Sequence, residues 1–266
     1  CKAQAKEALL LFRLWDFYEA FYEDAQIISK EIGLTLTARQ GTPMCGVPFH
    51  TAEGYIDKLI GKGFKVAIAE QTEDPKLAKG IVKREIVRIV TPGTIVNSQL
   101  LSDKKNNFFV SVVQVGGEYG LAILDLTTAE FRAMELEKEQ LLIDELCRLR
   151  PREFLVSKPF DFLKELSHSF PFVANTKEAL NPKLSFDVLT AHFDVQNLDG
   201  YGLRGKTAAI TAAGSLLLYL KEELNLSLEH VMAIQSDSLA QFMAIDRSTM
   251  RNLDISESLI ALLDET

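Results

Sequence analysis

The chain has 266 residues, a formal net charge of −8 and 47% hydrophobic residues. That length holds roughly two domains of about 100–200 residues each. The charge argues against a protein that coats DNA indiscriminately, and no apolar run reaches the ~18 residues of a membrane span.

The first expected element is a strand. Leu9, Leu10, Leu11 and Phe12 form a short apolar run that ends near Leu14, while Phe21, Ala25, Ile28 and Ile32 recur at helical spacing and predict a helix over 18–32. Trp15-Asp16-Phe17-Tyr18-Glu19 therefore falls at a strand-to-helix turn, where binding side chains concentrate. Its aromatics have two readings. They pack a small sheet against its helix, or one of them, Phe17, is exposed beside the carboxylate of Glu19 and acts as a wedge between base steps.

Leu34-Thr35-Leu36-Thr37 alternates as a strand, and Thr51 is placed to cap a helix carrying Tyr55, Ile56, Leu59 and Ile60 that ends at Gly61 and Gly63. Strands are predicted over 64–69 and 85–90. Thr91-Pro92-Gly93-Thr94 reads as a turn into a linker. Residues 1–91 carry 13 Lys and Arg against 12 Asp and Glu, a balance of +1, which leaves −9 for the remainder. The DNA-facing candidate is thus the first part. Lys76, Lys79, Lys83, Arg84 and Arg88 face one acid, Glu85, between positions 75 and 90; such a cluster suits phosphate contacts, and a solvated loop and strand edge would look the same.

The second unit is predicted to open with strands over 108–115, 119–126 and 130–136, the first two joined at Gly116-Gly117, as an antiparallel meander. A helix over 137–149 with Leu141, Leu142, Leu146 and Leu149 inward follows, then a strand over 153–156 and further helices. This is the order of a ribonuclease H-like fold. Nucleases of that shape need several converging carboxylates, but the first strand has none and the second has Asp125 alone. From Thr207 the chain reads helical, with Ala208, Ala209, Ala212 and Ala213 allowing close packing and Leu216, Leu217, Leu220 and Leu224 continuing an apolar face.

No enzyme constellation emerges. Gly200-Tyr201-Gly202-Leu203-Arg204-Gly205 imitates a phosphate-loop spacing without an apolar strand before it, and His50, His168, His192 and His230 are scattered. Cys1, Cys45 and Cys147 show neither metal spacing nor an even disulfide set, which favours a reducing cytoplasm. No signal peptide is visible. Starting at Cys1 and stopping at Thr266 in an unfinished helical pattern, the chain reads as a piece of a longer protein.

Several motifs, in order, carry a resemblance. Asp16-Phe17-Tyr18-Glu19, then Thr42-Pro43-Met44-Cys45-Gly46-Val47-Pro48-Phe49-His50, Ala69-Glu70-Gln71 with Asp74-Pro75 and Lys79-Gly80, and Val87 to Thr94 resemble successive blocks of the MutS family of DNA mismatch-repair proteins. His192-Phe193, Leu198-Asp199-Gly200-Tyr201-Gly202, Ile245-Asp246, Thr249 and Arg251-Asn252-Leu253 extend it over essentially the whole chain.

The resemblance implies an α/β fold: a mixed-sheet mismatch-recognition domain over 1–92, a linker over 93–106, a ribonuclease H-like connector domain over 107–230, and the start of a helical core over 231–266. It implies that Phe17 stacks on a mispaired or unpaired base from the minor groove and that Glu19 hydrogen-bonds that base. Arg39 and Arg84 would contact the DNA backbone. Met44, Gly46, Pro48 and His50 would shape the neighbouring loop, with Met44 equally able to be core. It further implies double-stranded DNA with mismatches or small insertion/deletion loops as ligand, a MutL-type partner on the connector with the segment 192–196 as a candidate contact, a homodimer when full length, and an ATPase using ATP and Mg that lies downstream of Thr266. No cofactor is expected on this chain, and no membrane contact. In one departure, Trp15 stands where the family usually has Gly. A MutS-like paralogue that binds distorted or branched DNA without mismatch specificity is the alternative.

Overall fold

The apolar runs 9–11 and 66–69 are buried on both faces, so the first unit grows around a sheet. The computed structural model describes residues 2–5, 7–71, 84–95 and 106–237. In chain order the first unit runs α1 (Lys2–Ala5), β1 (Leu9–Leu14), β2 (Phe17–Phe21), α2 (Tyr22–Ile32), β3 (Thr37–Arg39), β4 (Thr42–Pro48), a 3-10 turn Phe49–Thr51, α3 (Ala52–Gly61), β5 (Val66–Gln71) and β6 (Arg84–Val90). The six strands form one mixed sheet in the order β3-β4-β2-β1-β5-β6, with β1 and β5 parallel. Leu9, Leu11, Tyr18, Ala20, Cys45, Val47, Val66 and Ile68 face Ala25 and Ile28 of α2 and Ile56, Leu59 and Ile60 of α3. The opposite face, built on Leu10, Ala67 and Ala69, meets only α1 and its neighbouring Ala8 in its buried cluster.

The chain does not pass from strand to helix at Leu14. It turns through Trp15 and Asp16 into β2, which runs antiparallel to β1 with Leu14 opposite Phe17, and α2 begins only at Tyr22. The physical reason is local: in Phe17-Tyr18-Glu19-Ala20-Phe21 only the second and fourth side chains are buried, a period of two that belongs to a strand. The motif of Met44 to Pro48 is likewise a strand rather than a loop, and Thr51 Oγ1 donates to Pro48 O (3.1 Å) instead of capping α3. The cationic run Lys76, Lys79 and Lys83 lies outside the described residues, as do Asp74-Pro75, Lys79-Gly80 and the helical start expected beyond residue 237.

The second unit follows the predicted order closely: β7 (Phe108–Val115), β8 (Glu118–Asp125), β9 (Glu130–Leu136), α4 (Glu139–Leu149), β10 (Glu153–Val156), α5 (Phe162–Ser167), β11 (Val173–Thr176), α6 (Pro182–Phe193), α7 (Thr207–Leu218) and a short β12 (Gln235–Ser236). The meander β7-β8-β9 is antiparallel, β10 lies parallel to β7 and β11 parallel to β10, giving the order β11-β10-β7-β8-β9-β12. That arrangement, with α4 and α5 on one face and α6 and α7 on the other, is ribonuclease H-like. Asp125 is fully buried, and its carboxylate accepts from Asn107 N (3.0 Å), Thr127 N (2.8 Å) and Thr127 Oγ1 (2.6 Å). These bonds give it a structural role at the end of β8.

A polar seam joins the two units. Thr91-Pro92-Gly93-Thr94 forms a 3-10 turn, closed by reciprocal Thr91 and Thr94 bonds, and packs on β10 rather than leading into solvent. There the buried carboxylate of Glu153 accepts from Gly93 N (2.9 Å), from Asn175 Nδ2 (2.7 Å) and from the Thr91 hydroxyl. A Cβ on residue 93 would lie 2.8 Å from Glu153 Cβ, so only glycine allows this approach. Strand β6 is an edge strand, and its exposed backbone groups are also taken up: Ile89 N–H donates to Leu224 O (3.0 Å) and Asn225 Nδ2 donates to Ile86 O (3.1 Å). Covering an edge in this way removes a template for unwanted strand pairing.

His192, at the end of α6, donates from Nε2 to Val231 O (2.9 Å) while Nδ1 accepts from the Lys221 ammonium (2.8 Å). The Lys221 contact requires an unprotonated Nδ1, whereas the Val231 bond by itself favours the charged ring. Burial, with Lys221 adding to it, lowers the imidazole pKa below its ordinary 6.5. A histidine whose folded pKa is depressed binds protons more readily when unfolded, so stability is lost as pH falls through 6.5 towards the folded value. Melting of native protein and of His192→Gln across about pH 7.5 to 5.5 checks this. The native advantage is expected to shrink on acidification, and a constant difference would refute the linkage.

Candidate nucleic-acid interface

Strand register assembles the site. Phe17 pairs with Pro48, Glu19 with Gly46 and Phe21 with Met44, while Phe12 pairs with Glu19 and Leu14 with Phe17. Directly paired residues share a sheet face, so Phe17, Glu19 and Met44 lie together on the face that α2 and α3 leave open. Phe17 is 45% exposed. Gly46 is what lets the two candidate readers sit side by side: a Cβ there would come within 3.2 Å of Glu19 Cγ and 3.8 Å of Phe17 Cδ1.

The Glu19 carboxylate is held low against the sheet, with 15% of its side chain exposed. Its Oε2 is buried and has no hydrogen-bond partner among the described residues. Arg39 Nη1 on β3 forms a loose ion pair with it at 3.9 Å, beyond hydrogen-bond reach. A buried acceptor without a donor is costly, and here it opens beside an exposed aromatic.

The hairpin that presents Phe17 is anchored from behind. Arg13 Nε donates to Trp15 O (2.5 Å) and Phe49 N donates to Asp16 O (2.8 Å), so both turn carbonyls are pinned. The Arg13 guanidinium stacks 3.4 Å from the Phe49 ring centroid, and Phe49 in turn packs on Tyr18 at 5.8 Å. Tyr18 donates its hydroxyl to Glu70; burial first, and that bond second, push its pKa up to about 12, keeping the phenol protonated. Sequence reasoning missed Arg13 and Phe49 as supports. The available signal was their position next to the two motifs, but stacking across the turn requires the hairpin to be known.

The expected site residues are therefore partly gathered. Arg39, Met44, Phe17 and Glu19 occupy three adjacent strands, and His50 lies exposed in the 3-10 turn just beyond Pro48. Arg84 stands farther along the same sheet face. It begins β6 at the opposite edge, three strand spacings from β2 or roughly 14 Å, where it lines a cavity of about 520 Å³ with Leu10, Phe12, Leu14 and Phe21. Arg88 is paired with Glu53 (2.5 Å). Among the described residues no group of three or more His, Cys, Asp or Glu is placed to hold a metal ion, and no helix is long and apolar enough to cross a membrane.

Fold and site together define a two-unit α/β protein in which an open-faced sheet bearing an aromatic–carboxylate pair is seamed to a ribonuclease H-like unit. Residues 1–99 match the family profile described as MutS domain I, and residues 107–232 match MutS domain II. The chain is 54% identical over 266 residues to the DNA mismatch repair protein MutS of Protochlamydia amoebophila, covering 97% of this chain and 31% of that protein. It is 41% identical to the protein of the same name from Lachnoclostridium phytofermentans (97% and 29% covered) and 42% identical to that of Chlamydia abortus (96% and 32%). The chain belongs to the MutS family, and it spans about a third of the length of these curated relatives.

Proposed function

We propose that this chain is the mismatch-reading and connector portion of a DNA mismatch-repair sensor, with domains at 1–92 and 107–230 around a joining segment. The observation that carries the reading is the juxtaposition, on the open sheet face, of a half-exposed Phe17 with the Oε2 of Glu19, which has no hydrogen-bond partner among the described residues. A ring entering from the minor groove tests deformability, because a mismatched or unpaired step unstacks at lower cost than a paired one. Glu19 then accepts a hydrogen bond from the displaced base. On regular duplex the same carboxylate meets phosphates without that bond, so it adds discrimination rather than affinity. Arg39, His50 and Arg84 flank this pair on either side and contact the backbone; Met44 shapes the floor.

In the whole protein, dimerisation, a MutL-type partner on the second unit, a cytoplasmic location, and ATP hydrolysis with Mg in the part beyond this chain complete the proposal. The acidic balance of residues 92–266 suits a protein partner better than DNA. The segment 192–196 is a less direct candidate for that contact, since His192 is engaged with Val231 and Lys221.

The test is fluorescence anisotropy of the full-length gene product on matched duplex and on duplexes with one G·T pair or one unpaired T, at one salt concentration. A preference for the defective duplexes is expected. Glu19→Gln is expected to bind matched duplex roughly two- to five-fold more tightly, in line with the ~0.5–1 kcal/mol of a partly exposed charge interaction. Equal affinity of native protein for all three duplexes would remove mismatch reading in favour of general binding to distorted DNA.

A further inference from the structure

The hairpin tip carries one more large aromatic beside the Phe17–Glu19 pair. Trp15, the single tryptophan of the chain, is 85% exposed, the most exposed large hydrophobic among the described residues. Its backbone has φ +56, the left-handed region that costs every residue with a Cβ. That conformation is enforced, since the Trp15 carbonyl is held by Arg13 and the next carbonyl by Phe49. An indole thus stands in solvent, on a strained and pinned turn, two residues from Phe17. Neither folding term favours it: burial is almost nil and glycine would suit the backbone better. Strain kept without a folding gain points to a role in binding.

We propose that Trp15 is a second DNA-contacting aromatic, stacking on a nucleobase face that opens next to the step entered by Phe17. This rests on the reading of the Phe17 face as the DNA-binding surface. The chemistry fits: indole stacks on any base, so the contact requires an unstacked base and no particular sequence. Two aromatics on one rigid hairpin hold a kinked step from two points, and regular duplex, which shows no base face in its groove, gains nothing from the second. Pinning of the turn means the backbone that carries the indole has little conformational freedom to lose on binding.

The test compares full-length native protein with Trp15→Gly, Trp15→Phe and Phe17→Ala on matched duplex and duplex carrying one unpaired T. Trp15→Gly is expected to weaken binding to the unpaired-T duplex roughly 5- to 150-fold, the range of one aromatic–base stack, to leave matched-duplex affinity unchanged, and to melt at the same or a higher temperature because glycine relieves the turn. Trp15→Phe is expected to retain most of the affinity. The emission difference between native protein and Trp15→Phe, which isolates this indole, should be quenched by the unpaired-T duplex and not by the matched one. Unchanged binding in Trp15→Gly, or an equal loss on both duplexes, overturns the proposal. A selective loss in Trp15→Gly beside an intact preference in Phe17→Ala would overturn the role of Phe17 and leave that of Trp15 standing; the reverse pattern overturns Trp15 alone.

Discussion

Phe17→Ala is expected to bring the affinity for a duplex with one unpaired T down to nearly that for matched duplex, a loss of roughly 5- to 150-fold if the ring supplies the ~1–3 kcal/mol of a stacked base. Matched-duplex affinity should barely change, because a ring that has not entered the stack contributes little to it. The fold should tolerate the change: Phe17 is already 45% exposed, and its strand is held by backbone pairing to β1 and β4 on both sides. Truncations at such surface positions usually stay within about 0.5 kcal/mol of stability. Anisotropy titrations and melting curves on the same preparation separate the two effects. Retained discrimination with a normal melt would remove Phe17 as reader, whereas lost discrimination with a lowered melt would indicate that the hairpin itself had given way.

Much of this site is legible in the residues, but its geometry is not. Phe17 beside Glu19, the Met44 to His50 motif and the paired-glycine turn at Gly116-Gly117 are all visible as local patterns, and the second unit's strand order follows from its alternation and apolar runs. The first unit hides its architecture because β2 is short and runs straight into α2. The helical repeat of Ala25 and Ile28 extends backwards through Phe21, and a strand of five residues has too few periods to outweigh it. Once β2 is misread, the pairing of Glu19 with Gly46 disappears, and with it the reason for glycine at that position. Arg84 illustrates a second limit: adjacency in a motif series does not reveal that its edge strand lies three strands from β2, across a cavity lined by Phe12 and Leu14. The seam at Gly93 and Glu153 was hidden for the opposite reason, since Pro and Gly mark a turn without revealing whether it is solvated or buried.

That seam sets the second large expectation. Glu153→Ala would leave Gly93 N–H, Asn175 Nδ2 and the Thr91 hydroxyl without their common acceptor in a buried site. Leaving buried neutral donors unsatisfied costs about 1–3 kcal/mol each, which for a chain of this size lowers the melting temperature by on the order of 10 °C. Gly93→Ala attacks the same contact sterically, since its Cβ would fall 2.8 Å from Glu153 Cβ; overpacking of this kind costs about 1–3 kcal/mol. Glu153→Gln keeps the shape and an acceptor oxygen, so it should be milder than either. It also isolates charge: burial raises the Glu153 carboxyl above its ordinary 4.5, outweighing the hydrogen bonds and Lys65, which act to lower it. A raised carboxyl favours the folded form most at low pH, and that advantage is lost as pH rises from 4.5 through the folded value. Native protein should therefore lose stability relative to Glu153→Gln over that window. Because the seam is where the first unit is fastened to the second, loosening it should leave the proposed mismatch binding nearly intact while splitting one cooperative melt into two. A single unshifted transition in Glu153→Ala would show that the units are held by the Ile89 and Asn225 contacts alone.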